Sequence, residues 1–145
     1  MRKFRQKIIA MTSSIIYKGN LRTELTHLHS GSVVETDAPI DNMGKGERFS
    51  PTDLLATSYG ACMITTMAIK AASMNLNFDG TKIDITKIMS SDAPRRVVEI
   101  KAVLSFTENF VATTEQKEQL IRIARACPVE KSLHPDIKLD VTFNW

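Results

Sequence analysis

Cysteine is scarce in this chain. Cys62 and Cys127 are the only two among 145 residues, too few for a disulfide-built secreted scaffold. They stand 65 positions apart, so they make no CxxC motif, and only the fold could bring them together. Histidine is scarce as well, with three residues. His27 and His29 alternate along one segment and would share a strand face, but no third and fourth metal ligand follows at useful spacing. Cys62 has no nucleophile-elbow sequence around it, which speaks against a hydrolase pairing it with His27, His29 or His134. Long apolar runs are missing too. Leu54 to Ile69 carries no formal charge, yet it includes Thr57, Ser58, Tyr59, Thr65 and Thr66, and it is short and polar for a membrane span. Repeats, linkers and low-complexity runs are absent.

The net charge of +3 is misleading. Arg2, Lys3, Arg5 and Lys7 contribute +4 with no acid among residues 1–10, which leaves the remainder at −1. The basic character is a short N-terminal extension, residues 1–10, and it does not point to nucleic acid. Met11 could serve as a second start. The extension has no apolar region of signal-peptide length, so the two thiols are expected in a reducing, cytoplasmic setting. Residues 11–145 have the length of one domain, and 43% hydrophobic residues suffice for a core.

Turn residues and alternation predict the elements. Ser13–Tyr17, Leu21–His29 and Val33–Asp37 read as strands, divided by Lys18-Gly19-Asn20 and Ser30-Gly31. Residues 38–49 form a loop. Ser50 suits a helix N-cap, Pro51 the first helical position and Asp53 the third, so a long helix is expected to about Ser73. It is apolar nearly all round and should be enclosed on most sides. Two strands follow Gly80. Thr113-Thr114-Glu115-Gln116 is a capping-box spacing that opens a second helix, whose apolar face is Leu120, Ile123, Ala124 and Cys127. Ile137, Leu139, Val141, Phe143 and Trp145 alternate as a last strand. The order βββα-ββαβ predicts an α+β fold, largely antiparallel sheet around a central helix. A domain this small should struggle to cover so apolar a helix, which suggests a second copy of the chain.

Cys62 can be read as a packed core thiol or as a reactive one. Burial disfavours a thiolate, and mid-helix it gains nothing from a helix N-terminus, so a reactive Cys62 needs a cation. Arg22, Arg48, Arg95 and Arg96 are the candidates, arginine being suited because its fork can hold a carboxylate and a thiolate together. Asp53 is the natural carboxylate, nine residues earlier and therefore about 13 Å along the helix axis; it can also simply cap the helix. Cys127 precedes Pro128. If Pro128 restarts a turn, Cys127 sits at its N-terminus, where a thiolate is favoured. A thiol in an apolar wall with a second thiol folded against it suggests redox chemistry on an apolar substrate.

The segment Gly46-Glu-Arg-Phe-Ser-Pro-Thr-Asp-Leu-Leu-Ala-Thr-Ser-Tyr-Gly-Ala-Cys62 resembles the helix-opening motif of the OsmC/Ohr family, the osmotically inducible and organic-hydroperoxide-resistance proteins. Ala126-Cys127-Pro128-Val129-Glu130-Lys131-Ser132-Leu133 is similar to that family's second cysteine motif. The resemblance covers about residues 11–145. It implies an OsmC-like fold in an intertwined homodimer with active sites at the subunit interface. It implies a thiol peroxidase of organic hydroperoxides, with Cys62 as the peroxidatic and Cys127 as the resolving cysteine. Asp53 matches the acid that orients an essential arginine; in the family that acid is often the longer Glu. Arg22, in Tyr17-Lys-Gly-Asn-Leu-Arg22, is the nearest match for the arginine, with Arg48 second. No metal or organic cofactor is called for. A dithiol reductant of lipoyl or thioredoxin type is expected, and neither a nucleic-acid nor a membrane partner. The alternative is a binding or scaffold protein of the same fold with inert cysteines.

Overall fold

The structure, a computed structural model, describes residues 10–145. All but the last residue of the basic extension lies outside them. The chain divides into two compact units, one up to Pro51 and one from Thr52 to Trp145.

The first unit is a three-stranded antiparallel meander, β1 (Ser13–Gly19), β2 (Arg22–His27) and β3 (Val33–Asp37). The first turn is tighter than the sequence suggested. Gly19 faces Arg22, and the turn is Asn20 and Leu21 with φ of 53° and 60°. Positive φ at both positions matches the right-handed twist of a hairpin. Asn tolerates this conformation; Leu21 carries its steric cost. The second strand therefore starts at Arg22, and it stops at His27 because His27 and Ser30 build the next turn, Nδ1 to Oγ 2.7 Å. His29 falls in that turn rather than on the strand, so the two histidines do not share a strand face as expected. The loop over 38–49 contains a 3-10 turn, Ile40–Asn42. Gly44 closes it, since a Cβ there would lie 1.6 Å from the Ala38 carbonyl oxygen.

The second unit holds α1 (Pro51–Lys70), which opens at the boundary, then β4 (Lys82–Met89), β5 (Val97–Ser105), α2 (Thr114–Ala124), α3 (Pro128–Ser132) and β6 (Lys138–Asn144). The sheet order is β4-β5-β6; β4 and β5 are antiparallel, β5 and β6 parallel. The fold class is α+β, as expected. The parallel pair was not anticipated; the five-residue α3 is the turn that Pro128 was expected to restart. The crossover from β5 to β6 spans both short helices, which is what makes a parallel return possible.

Pro51 begins α1 as its fixed φ favours. The helix ends at Lys70, short of Ser73, in a 3-10 turn at Ala72–Met74 followed by left-handed Asn75. Its buried residues, Ala56, Tyr59, Gly60, Met63 and Met67, make a single stripe. Leu55 and Ile69 are 41% and 67% exposed. Within one chain the helix is thus covered along one side, not on most sides as its composition implied. The stripe packs with Ile100, Ala102 and Leu104 of β5, all fully buried. Gly60 permits close approach to β4, because a Cβ there would meet Ile85 Cδ1 at 2.9 Å.

The capping box at α2 forms as the spacing dictates: Thr113 Oγ1 accepts from the Gln116 N–H at 3.1 Å, and Gln116 Oε1 from the Thr113 N–H at 2.9 Å. Leu120, Ala124 and Cys127 are fully buried along the predicted face.

Candidate functional site

Cys62 lies in the fourth turn of α1 and is half-buried; Cys127 is fully buried, and both are free thiols. Cys127 belongs to the buried core cluster and Cys62 packs against that cluster, near enough to act on the Cys127 thiol. The fold therefore gathers into one cluster two thiols that are remote in sequence. Cys62 Sγ also lies 3.9 Å from Thr66 Oγ1, one helical turn on.

Pro128 does restart a helix, and Cys127 is its N-cap. The electrostatic consequence differs from expectation. Burial pushes the Cys127 thiol above its ordinary value, the Glu130 backbone N–H pulls it down, and the neighbouring Cys62 raises it again. Desolvation outweighs the end of a helix only five residues long.

Three residues that sequence reasoning gave no role surround this pair. Tyr59, fully buried on α1, donates its hydroxyl to Glu130 Oε2 at 2.6 Å. Arg125 Nε reaches the same carboxylate, 3.2 Å from Oε1 and 3.1 Å from Oε2. Burial, then the Glu130 carboxylate, hold the Tyr59 phenol in its neutral form well above its usual range. Tyr59 is three residues before Cys62 and Glu130 three after Cys127, but that spacing does not reveal that the two side chains meet.

Asp53 is gripped by Lys87 at 2.7 Å, and Lys87 also donates to Thr52 Oγ1 at 2.8 Å. Lys87 follows Ile83 and Ile85 on the inward face of β4, a lysine where alternation calls for an apolar residue.

The candidate arginines are distributed as follows. Arg22 belongs to the first unit. Its Nε donates to Asp37 Oδ1 at 2.7 Å and its Nη2 to Asp37 Oδ2 at 2.8 Å, while Nη2 also meets Glu47 Oε2 at 2.9 Å. Asp37 is 1% exposed, and the Arg22 fork holds its carboxyl below the usual range. Arg48, in the same unit, pairs with Glu35 at 2.9 Å. Arg95 and Arg96 lie in the exposed turn between β4 and β5, where Arg96 binds Asp92 at 3.1 Å. Asp53 and Arg22 thus fall in different units, each engaged in an ion pair within its own.

Met63 and Met67 point into the core and are fully buried. A shallow apolar depression of about 460 Å³ opens further along α1, formed by Ile64, Thr65, Ala68, Ile69, Phe78 and Asp79; Cys62 does not line it. Among the described residues, no group of three or more His, Cys, Asp or Glu is placed to hold a metal ion, and no helix is long and apolar enough to cross a membrane.

Residues 44–142 match the model of the family described as OsmC-like protein. Solved structures share the fold. One, from Psychrobacter arcticus 273-4, is described as a candidate osmotic stress induced and detoxification response protein; it is 45% identical, with a TM-score of 0.88 over 94% of this chain and 97% of that one. An organic hydroperoxide resistance protein OsmC from Legionella pneumophila superposes with a TM-score of 0.73 at 12% identity, over 95% of this chain and 98% of its own. The organic hydroperoxide resistance protein OhrB of Bacillus subtilis gives 0.64 at 15% identity, over 92% and 98%. No functionally curated protein matches the chain.

Proposed function

The chain belongs to the OsmC-like protein family, and from that membership we propose that it is a thiol-dependent peroxidase reducing organic hydroperoxides. The observation that carries this reading is that two free thiols remote in sequence, Cys62 half-buried and Cys127 fully buried, share one packed cluster. The names of the Legionella and Bacillus proteins of the same fold agree with it.

In this mechanism the Cys62 thiolate attacks one oxygen of the hydroperoxide. An S–O bond forms, the O–O bond breaks, and the alkoxide leaves as the alcohol after taking a proton. Arg22, with Arg48 as the alternative, is the cation assigned to steady the thiolate and the leaving oxygen. Cys127 then attacks the Cys62 sulfur; the S–S bond forms, the S–O bond breaks, and hydroxide departs as water with the Cys127 proton. A dithiol reductant of lipoyl or thioredoxin type restores both thiols, which suits a reducing, cytoplasmic compartment. The substrate's apolar tail rests in the depression over Ile64, Ile69 and Phe78.

The working unit is a homodimer. Ile15 is 65% exposed and Ile16, on the opposite face of β1, 58%. A second copy would cover such surface. Light scattering at micromolar concentration should read twice the chain mass; a stable monomer rejects the dimer.

The peroxidase reading is tested by thiol titre. One equivalent of a bulky alkyl hydroperoxide should remove both thiols together, and an inert scaffold would lose neither. Hydrogen peroxide has no tail, and about 0.8 kcal/mol per buried methylene makes three methylenes worth a preference of tens-fold. Equal rates on both oxidants would defeat the tail-binding part of the proposal.

A further inference from the structure

Glu130 does not do what its spacing dictates. It is the third residue of α3, three after the N-cap Cys127. A glutamate there usually turns back to the N-cap N–H. In this protein that N–H already donates to the Ala124 carbonyl at 3.2 Å. The carboxylate turns away instead and takes the Tyr59 hydroxyl at 2.6 Å and Arg125 Nε at 3.1 Å. Its side chain is 12% exposed. A buried phenol can be satisfied by a neutral carbonyl; setting a carboxylate there incurs desolvation that the Arg125 charge and the Tyr59 hydrogen bond must offset.

The geometry shows what the arrangement joins. Tyr59 sits one helical turn before Cys62 on α1. Arg125 is the C-cap of α2. Glu130 belongs to the turn that Cys127 opens. One carboxylate therefore ties the helix bearing Cys62 to the segment bearing Cys127, across 71 residues of sequence.

Resting on the peroxidase reading, we propose that Tyr59, Glu130 and Arg125 form a positioning network for the resolving step, holding Cys127 where it closes on oxidised Cys62. Once Cys62 is a sulfenic acid, two reactions compete for it. Attack by Cys127 gives the disulfide and water. Attack by a second hydroperoxide gives the sulfinic acid and an alcohol, which is not readily reversed. The network favours the first by keeping the Cys127 sulfur within reach, and it does not act in the first oxidation of Cys62. The three residues are positioning residues, since none forms or breaks a bond.

The test separates the two steps in Glu130→Ala, Glu130→Gln and the near-isosteric Tyr59→Phe. Sulfenic acid formation, captured with a dimedone-type trap, should keep its wild-type rate. Disulfide closure should slow roughly tenfold or more in Glu130→Ala, as expected for losing hydrogen bonds to a charged group. Glu130→Gln should recover part of that rate, because its amide oxygen can still accept from Tyr59. Sulfinic acid at Cys62, read by mass spectrometry, should rise as hydroperoxide is increased. If Glu130→Ala does not fold, Tyr59→Phe decides, with several-fold slower closure expected. A second arm oxidises the same proteins with diamide, which needs no peroxidase. Wild-type protein inert to hydroperoxide, with diamide closure slowed in the variants, would reject the peroxidase reading and keep the network. Wild-type closure rates in all the folded variants, in both arms, would overturn the network.

Discussion

Cys62→Ser is expected to abolish hydroperoxide consumption, a loss on the order of 10⁴-fold or more, as for removal of other covalent nucleophiles. A serine hydroxyl is not ionised near neutral pH and cannot pass through a sulfenic acid. The measurement is hydroperoxide loss in the presence of a dithiol, and wild-type turnover in the variant would reject Cys62 as the nucleophile. Cys127→Ser should behave differently. It should complete one reduction and stop with a sulfenic acid at Cys62, visible by mass spectrometry. Failure of that first reduction would mean that Cys127 does more than resolve. The pH dependence of the wild-type closure step follows from the raised Cys127 thiol. The neutral thiol is the form that the fold favours, while the thiolate is the attacking form. Closure should therefore accelerate with pH, roughly tenfold per unit while pH stays below the raised value. Stability has the opposite sign. The benefit of burying a neutral Cys127 is complete below the ordinary thiol value and is lost as pH climbs through the raised one.

The elements were legible where local chemistry decides them. Pro51 and the Thr113–Gln116 box fix helix starts by satisfying or omitting N–H groups within a single turn. Alternation marked β5 and β6 because each has one face on the core. The sequence could not show that β6 returns parallel to β5, since pairing direction depends on where a 32-residue crossover from Phe106 to Ile137 leads the chain. The length and burial of α1 were overread for a related reason. Uniform apolarity says that a helix is covered somewhere, not that its own chain supplies the cover, and Leu55 and Ile69 remain open. At the candidate site, the two cysteines that the motifs singled out fall in one packed cluster. Cys127 as an N-cap was legible from Pro128, but the sign of its thiol shift was not, because burial is a tertiary property that the helix end cannot reveal. Tyr59, Glu130 and Lys87 were visible as residues and silent as partners. Each acts through a contact between elements, and nothing along the chain names the other side.

Arg22→Lys is expected to lose most of the activity, roughly ten- to hundred-fold, the equivalent of about 1.5–3 kcal/mol for hydrogen bonds to a charged group. Lysine keeps the charge but replaces a planar fork with one point. In this protein the fork is used at once on both oxygens of Asp37, with Nη2 shared to Glu47. A single ammonium cannot reproduce three contacts in those directions. The substitution will also weaken the first unit, because Asp37 is almost fully buried and relies on that fork. Asp37→Asn separates the two effects: it loosens the same pair and leaves the arginine in place. If Arg22 serves the chemistry, Arg22→Lys should slow oxidation of Cys62 by one equivalent of alkyl hydroperoxide, and slow its alkylation by iodoacetamide, far more than Asp37→Asn does at equal fraction folded. Equal losses in the two variants would assign Arg22 to the scaffold alone. Arg48→Lys is the second control. Arg48 is 45% exposed and bound to Glu35, so its replacement should disturb the fold little. Slowing confined to Arg48→Lys would transfer the role to Arg48. Unchanged Cys62 chemistry in both arginine variants would leave Arg95 or Arg96 as the cation, or a Cys62 that needs none.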